Sequence, residues 1–173
     1  MTTYTLGTID HKHIHLIRQW RNEQIDILRQ NKLITETEQE EYFSNIHRDN
    51  RQMLFSILED GELVGYCGLV NLDYINRSSE LSFICNTELL NAAKYDELFF
   101  YAFNELAKTA FMSLGLNRLW TETYSFRGDH LRLLKKFGMI EEGILREQVF
   151  YSGKHCDSII HSMLRREYGN HLL

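Results

Sequence analysis

The sequence predicts a mixed α/β fold, a central mixed sheet flanked by helices, and three observations carry that prediction. Asp60-Gly61 and Ser152-Gly153 each sit between two strand-like stretches, the signature of a hairpin turn. Between those hairpins, a short apolar stretch at Glu80–Cys85, a long helical stretch at Tyr95–Met112 and a second strand-like stretch at Arg118–Tyr124 make a β-helix-β unit, so the sheet mixes antiparallel and parallel pairs. No linker, repeat or low-complexity stretch interrupts the 173 residues, and one domain over residues 1–173 is expected.

The elements follow in order. Tyr4–Leu6 reads as a short first strand. From about His13, Ile14, Ile17, Trp20, Ile25 and Leu28 recur at helical intervals, with a break expected near Arg21-Asn22. Thr35 followed by Glu38 is a capping box, in which each side chain satisfies the other's backbone amide, and it opens a helix ending near Ile46. Gln52–Leu58 and Leu63–Leu72 form the first hairpin, and Gly65 and Gly68 predict a bulge or a close backbone approach. In Tyr95–Met112 the residues Leu98, Ala102, Leu106 and Ala110 share one stripe, and Gly115 supplies the stop. Asp129–Phe137 is a short helix ended by Gly138, and Ile144–Tyr151 with Cys156–Leu164 is the last hairpin.

Composition narrows the function classes. Apolar residues are 43% and charged residues 25%, with a formal charge of -5, so no net positive field draws nucleic acid or an anionic membrane. The apolar run within Glu97–Leu116 is interrupted by Asn104, Glu105 and Lys108, too polar for a membrane span, and Met1–Asp10 lacks the pattern of a signal peptide. The three cysteines, Cys67, Cys85 and Cys156, form no C-x-x-C pair and read as reduced and buried, which points to the cytoplasm. His11, His13 and His15 spread around a helix without an acidic partner at ligand spacing, so no metal site is expected.

The element order, together with particular segments, resembles the GNAT acetyltransferases over nearly the whole chain. Trp20-Arg21-Asn22, Leu33–Gln39 and Tyr42-Phe43 resemble the substrate-side helices of the branch that acetylates ribosomal-protein N-termini and amino sugars. Leu63–Leu69 and Ser79–Phe83 resemble the paired strands that carry the family's catalytic surface, Lys136–Arg146 resembles its Gly-Phe and Glu-Gly signature, and Tyr151–Ser158 resembles its closing hairpin. The resemblance implies a splayed parallel pair, Glu80–Cys85 and Arg118–Tyr124, holding acetyl-CoA as co-substrate. Amides of Phe83, Ile84 and Cys85 would then meet the thioester and pantetheine, and the following helix start would meet the pyrophosphate. The family loop there is usually glycine-rich; here it is Leu89-Leu90-Asn91-Ala92-Ala93-Lys94-Tyr95-Asp96, so Asn91, Ala92, Ala93 and Lys94 take its place. Where the family often has an asparagine and a tyrosine, this chain has Arg127 and Leu134. Arg127 is expected to contact the cofactor, and the proton donor for the CoA thiolate must be another group, with Tyr124 and His130 nearest in sequence.

Glu80 stands where the family frequently places a general base; the alternative is a strand glutamate paired with Arg77 or Arg118. Glu122 is the second acidic candidate, or a surface face. Trp20, Arg21 and Asn22 line the acceptor pocket by resemblance, or form a solvated helix face with Trp20 in the core. The leading expectation is direct acetyl transfer to the amine of a small molecule, a nucleotide-linked amino sugar. The alternatives are a protein N-terminus or a polyamine, and a GNAT-fold binding domain without catalysis. Proteins of this kind often form homodimers, and no feature of the sequence selects an oligomer.

Overall fold

The computed structural model describes residues 3–46, 48–90 and 93–169. The strands are β1 (Tyr4–Gly7), β2 (Met53–Glu59), β3 (Glu62–Asp73), β4 (Ser78–Cys85), β5 (Arg118–Tyr124), β6 (Ile140–Tyr151) and β7 (Lys154–Leu164). The helices are α1 (Ile14–Glu23), α2 (Glu36–Ile46), α3 (Ala93–Lys108), α4 (Gly128–Lys136) and the short α5 (Arg165–Tyr168). One sheet runs in the order β1-β2-β3-β4-β5-β7-β6, and β4 with β5 is its parallel pair. The mixed α/β expectation therefore holds.

The α3 stripe is the main core. Leu98, Phe99, Ala102, Leu106 and Ala110 are fully buried, and Phe99 stacks on Phe103 at 4.0 Å between ring centroids. Burying each such Leu or Phe side chain contributes about 1.5–3 kcal/mol. A second cluster joins Ile17 and Trp20 of α1 and Ile46 of α2 to Tyr66 and Ile84 of the sheet. Gly65 and Gly68 mark close strand approach, as expected. A Cβ on Gly68 would stand 2.4 Å from the Met53 carbonyl oxygen, and one on Gly65 2.7 Å from that of Ile84. The capping box is also present: the Thr35 amide donates to Glu38 Oε2 at 2.9 Å, and the Glu38 amide to Thr35 Oγ1 at 3.3 Å.

Two elements differ from expectation. The first helix does not break at Arg21-Asn22, because both side chains bond forward to the 30–34 segment and leave the helix backbone intact. It ends instead at Gln24, whose Nε2 donates to the Cys85 carbonyl at 2.8 Å and ties the helix end to β4. The long helix stops being α-helical at Lys108 and continues as a wider π-turn over Thr109–Ser113. That turn keeps Ala110 and Phe111 in the core, with Phe111 against the Tyr168 ring.

Candidate active site

The ladder between β4 and β5 runs only from Ser78–Arg118 to Glu80–Trp120. Beyond it β4 continues to Cys85 and β5 to Tyr124 without pairing, so the facing backbone groups of Leu81–Cys85 have no strand beside them. The gap opens a cleft of about 250 Å³, bordered by Glu80, Ser82, Ile84, Glu122 and Tyr124. A second chamber of about 400 Å³ lies beside it, bordered by Leu90, Tyr95, Gly128 and Tyr151. Ile27, Arg127 and His130 border both.

One end of the cleft is acidic. Glu80 is 1% exposed, and its Oε2 accepts from Asn71 Nδ2 at 2.8 Å. Asn71 reaches it from an irregularity in β3, with φ at 50°, a left-handed conformation that asparagine tolerates and that re-aims the side chain. Glu80 Oε1 pairs with the Arg29 guanidinium, whose other arm meets Glu122 Oε2 at 3.1 Å. Ser158 Oγ donates to Glu122 Oε1 at 2.7 Å. Glu80 and Glu122, two residues apart in register across the parallel pair, thus converge on one cation. Arg118, offered by the sequence as a partner for Glu80, pairs with Glu142 instead.

The segment carrying Arg29 roofs this end. The Tyr124 hydroxyl donates to the Leu28 carbonyl at 3.3 Å, and Arg127 Nη1 to that of Ile27 at 3.4 Å. Arg21 Nε donates to Gln30 Oε1 at 3.1 Å. Asn22 grips the Ile34 backbone through both its amide atoms, at 2.8 and 2.9 Å. Burial raises the Tyr124 phenol above its ordinary range, so it keeps its proton at neutral pH.

At the other end, Tyr95 and His130 form a buried pair, with the hydroxyl 2.7 Å from His130 Nδ1. Arg127 Nη2 donates to the same hydroxyl at 3.4 Å. Burial, then the Arg127 charge, hold the His130 imidazole well below its usual pKa, and burial raises the Tyr95 phenol. The imidazole is therefore neutral and the phenol keeps its proton, so the two share one hydrogen bond.

The remaining sequence-derived candidates divide. Phe83 and Ile84 border the cleft, but the Phe83 ring also packs edge-on against Tyr95 and Phe99. Cys85 is buried, its thiol pushed up to about 12 by burial. Ala93 opens α3 and is exposed. Lys94, its side chain half exposed, pairs with Glu59 at 2.7 Å. Asn91 and Ala92 lie outside the described residues. Trp20 is core, as the alternative reading had it, and does not border the cleft. Asn22 holds the roof segment, whereas Arg21 does border the cleft. Three residues escaped the sequence reading: Arg29, Asn71 and Tyr95. The signal for Asn71 was present, since asparagine is a poor strand former inside an apolar strand.

Comparison with known proteins agrees with this geometry. Residues 6–160 match the family described as acetyltransferase (GNAT) domain. The Bacillus subtilis (strain 168) protein named "Putative ribosomal N-acetyltransferase YdaF" is 30% identical over 116 residues, which are 65% of this chain and 59% of that protein's own length. Spermidine N(1)-acetyltransferase of Vibrio cholerae is 28% identical over 134 residues, 76% of this chain and 74% of that one. The crystal structure of spermidine N-acetyltransferase from Vibrio cholerae in complex with CoA and spermine superposes with a TM-score of 0.85 at 23% identity, covering 96% of this chain and 98% of that one. No helix among the described residues is long and apolar enough to cross a membrane.

Proposed function

This chain belongs to the GNAT acetyltransferase family, and on that premise we propose that it is an acyltransferase that acetylates a small aliphatic polyamine from acetyl-CoA. The observation that carries the acceptor class is the convergence of Glu80 and Glu122 on one cation at the mouth of the β4–β5 gap. Two carboxylates there favour an ammonium and repel phosphate. A nucleotide-linked amino sugar, the leading expectation from sequence, would bring its negative charge to this end. The name of the Vibrio cholerae relative points the same way. The name of the Bacillus relative favours a second reading, a protein N-terminal amine, which is also a cation. The roof formed by Ile27–Gln30 suits a slim aliphatic acceptor better than a peptide.

The residues present fit acetyl-CoA. The unpaired β4 edge from Leu81 to Cys85 offers amides to the thioester oxygen and the pantetheine arm. Arg127, at the junction of the two chambers, offers a guanidinium to the cofactor where the family often has asparagine. In direct transfer the amine lone pair forms the new C–N bond, the C–S bond breaks, and the electron pair leaves with sulfur. Glu80 takes one proton from the ammonium, directly or through water, which frees the lone pair, and passes it to solvent. The second proton leaves the nitrogen by the same route as the C–N bond forms. Tyr124, still protonated at neutral pH, gives its proton to the thiolate and recovers one from solvent. His130, neutral, instead positions the Tyr95 hydroxyl to which Arg127 donates.

The test is thiol release from acetyl-CoA in the presence of spermidine, a nucleotide-linked amino sugar, or a peptide with a free N-terminus. Turnover with spermidine and none with the sugar is expected. Turnover with the sugar alone would overturn the acceptor class, and none with any amine would favour a binding domain without catalysis.

A further inference from the structure

We infer that Arg29 is a built-in counter-ion of the acceptor site: its guanidinium holds the acceptor's place between Glu80 and Glu122, and only an acceptor that brings its own positive charge displaces it. The inference rests on the reading of this cleft as the acceptor site and says what selects the acceptor there.

The first observation is occupancy. Arg29 reaches both carboxylates at once, one with each arm of its guanidinium, and Asn71 takes the second oxygen of Glu80. With a donor on each oxygen and its side chain only 2% exposed, Glu80 meets an incoming amine with its charge already paired by Arg29. Charge recognition and release of the base are therefore one event.

The second observation is accessibility. The Arg29 side chain is 44% exposed and that of Glu80 only 2%. The cation can leave towards water without unfolding the sheet, whereas the carboxylate cannot follow it. A buried carboxylate without a partner is strongly disfavoured, so a neutral or anionic acceptor leaves the pair uncompensated. A cationic acceptor restores the pairing.

The third observation is the segment itself. Ile27, Leu28, Arg29 and Gln30 each bond to a different group of the cleft wall, and the chain from Leu28 to Thr35 belongs to no helix. The segment is thus held mainly by side-chain contacts, and those of Arg29 are the ones a competing cation can replace while the others keep the segment in place. A purely structural ion pair would instead stabilise the acceptor end, and its loss would weaken acceptor binding.

The two roles predict opposite signs. In Arg29→Gln, KM for spermidine falls, by roughly tenfold if the arginine occupies the site nine-tenths of the time, and the change falls on KM more than on kcat. Arg29→Lys, which keeps the charge, brings KM back towards the wild-type value. A raised or unaltered KM in Arg29→Gln overturns the inference. A second measurement does not depend on any acceptor. In Arg29→Ala, low-millimolar guanidinium chloride should raise the thermal midpoint relative to equal sodium chloride, by refilling the vacated position, while the wild type shows no rise; Arg29→Gln serves if Arg29→Ala does not fold. Absence of that rise also overturns it. Should wild type acetylate no polyamine while the guanidinium effect is present, the acceptor assignment falls and the counter-ion role stands.

Discussion

The two faces of the central sheet each bury an apolar cluster, and the α1–α2 face adds a buried carboxylate with its charged partner. On the α3 side, Leu98, Phe99, Phe103 and Phe111 are 0 to 1% exposed and belong to the main apolar cluster, with the neutral His130 ring against Phe99 and Phe103. On the α1–α2 side, Glu80 is 1% exposed, yet it is surrounded by Asn71 and Arg29, with Glu122 sharing the same cation. Apolar burial is non-directional, so the first face tolerates any arrangement that fills space. A buried charge is stable only while its partners stay in place. The first face stabilises the scaffold, and the second converts that rigidity into a poised carboxylate.

Substitutions on the two faces should therefore separate. Glu80→Gln keeps the shape of the side chain and removes the base. It should lower kcat/KM by about 10²–10⁴-fold, the usual contribution of a positioned acid or base, while the urea midpoint changes little by comparison. Activity retained by this variant at all pH values would remove Glu80 from the mechanism. Phe99→Ala should do the reverse, costing about 3–5 kcal/mol in urea denaturation while the folded fraction still turns over. A smaller effect compares two cations at the cofactor end. Arg127→Ala should weaken acetyl-CoA binding in calorimetry by about 1.5–3 kcal/mol, the range for a charged hydrogen bond. Lys94→Ala should matter less, because Lys94 is already bound to Glu59.

The same division explains what could be read from the sequence. Hairpin turns, the capping box, the α3 stripe and the strand glycines are local signals, set by residues a few positions apart, and all were legible. Glu80 was legible as a candidate because the resemblance places a general base at its position, and Glu122 because it lies on the neighbouring strand. Their common partner was not, since Arg29 lies 93 residues before Glu122 and meets it only through the fold. Tyr95 reads as one more aromatic at a helix start, and nothing local announces its bond to His130, 35 residues on. Nor did the position of Lys94, read as a phosphate donor, announce Glu59, which the end of β2 brings to it.

The buried histidines give the smallest and most diagnostic test. His130, His13 and His161 all have pKa values lowered mainly by burial. The unfolded chain therefore binds protons below about pH 6.5 that the folded chain does not. Stability from this source is fully present above pH 6.5 and is lost as pH falls towards the folded values. The carboxylates with lowered pKa, Glu23, Glu38, Glu142 and Asp73, add their own loss only below about pH 4.5. Between those limits the decline belongs to the histidines. His130→Gln removes one of them and the Tyr95–His130 bond together, so at pH 7.5 it should be less stable by about 1 kcal/mol. Its urea midpoint should then fall less steeply than wild type between pH 6.5 and 5, and the two curves should converge. Parallel curves would mean that His130 takes up a proton as readily in the folded chain as in the unfolded one, and the neutral Tyr95–His130 pair would no longer account for this end of the cleft.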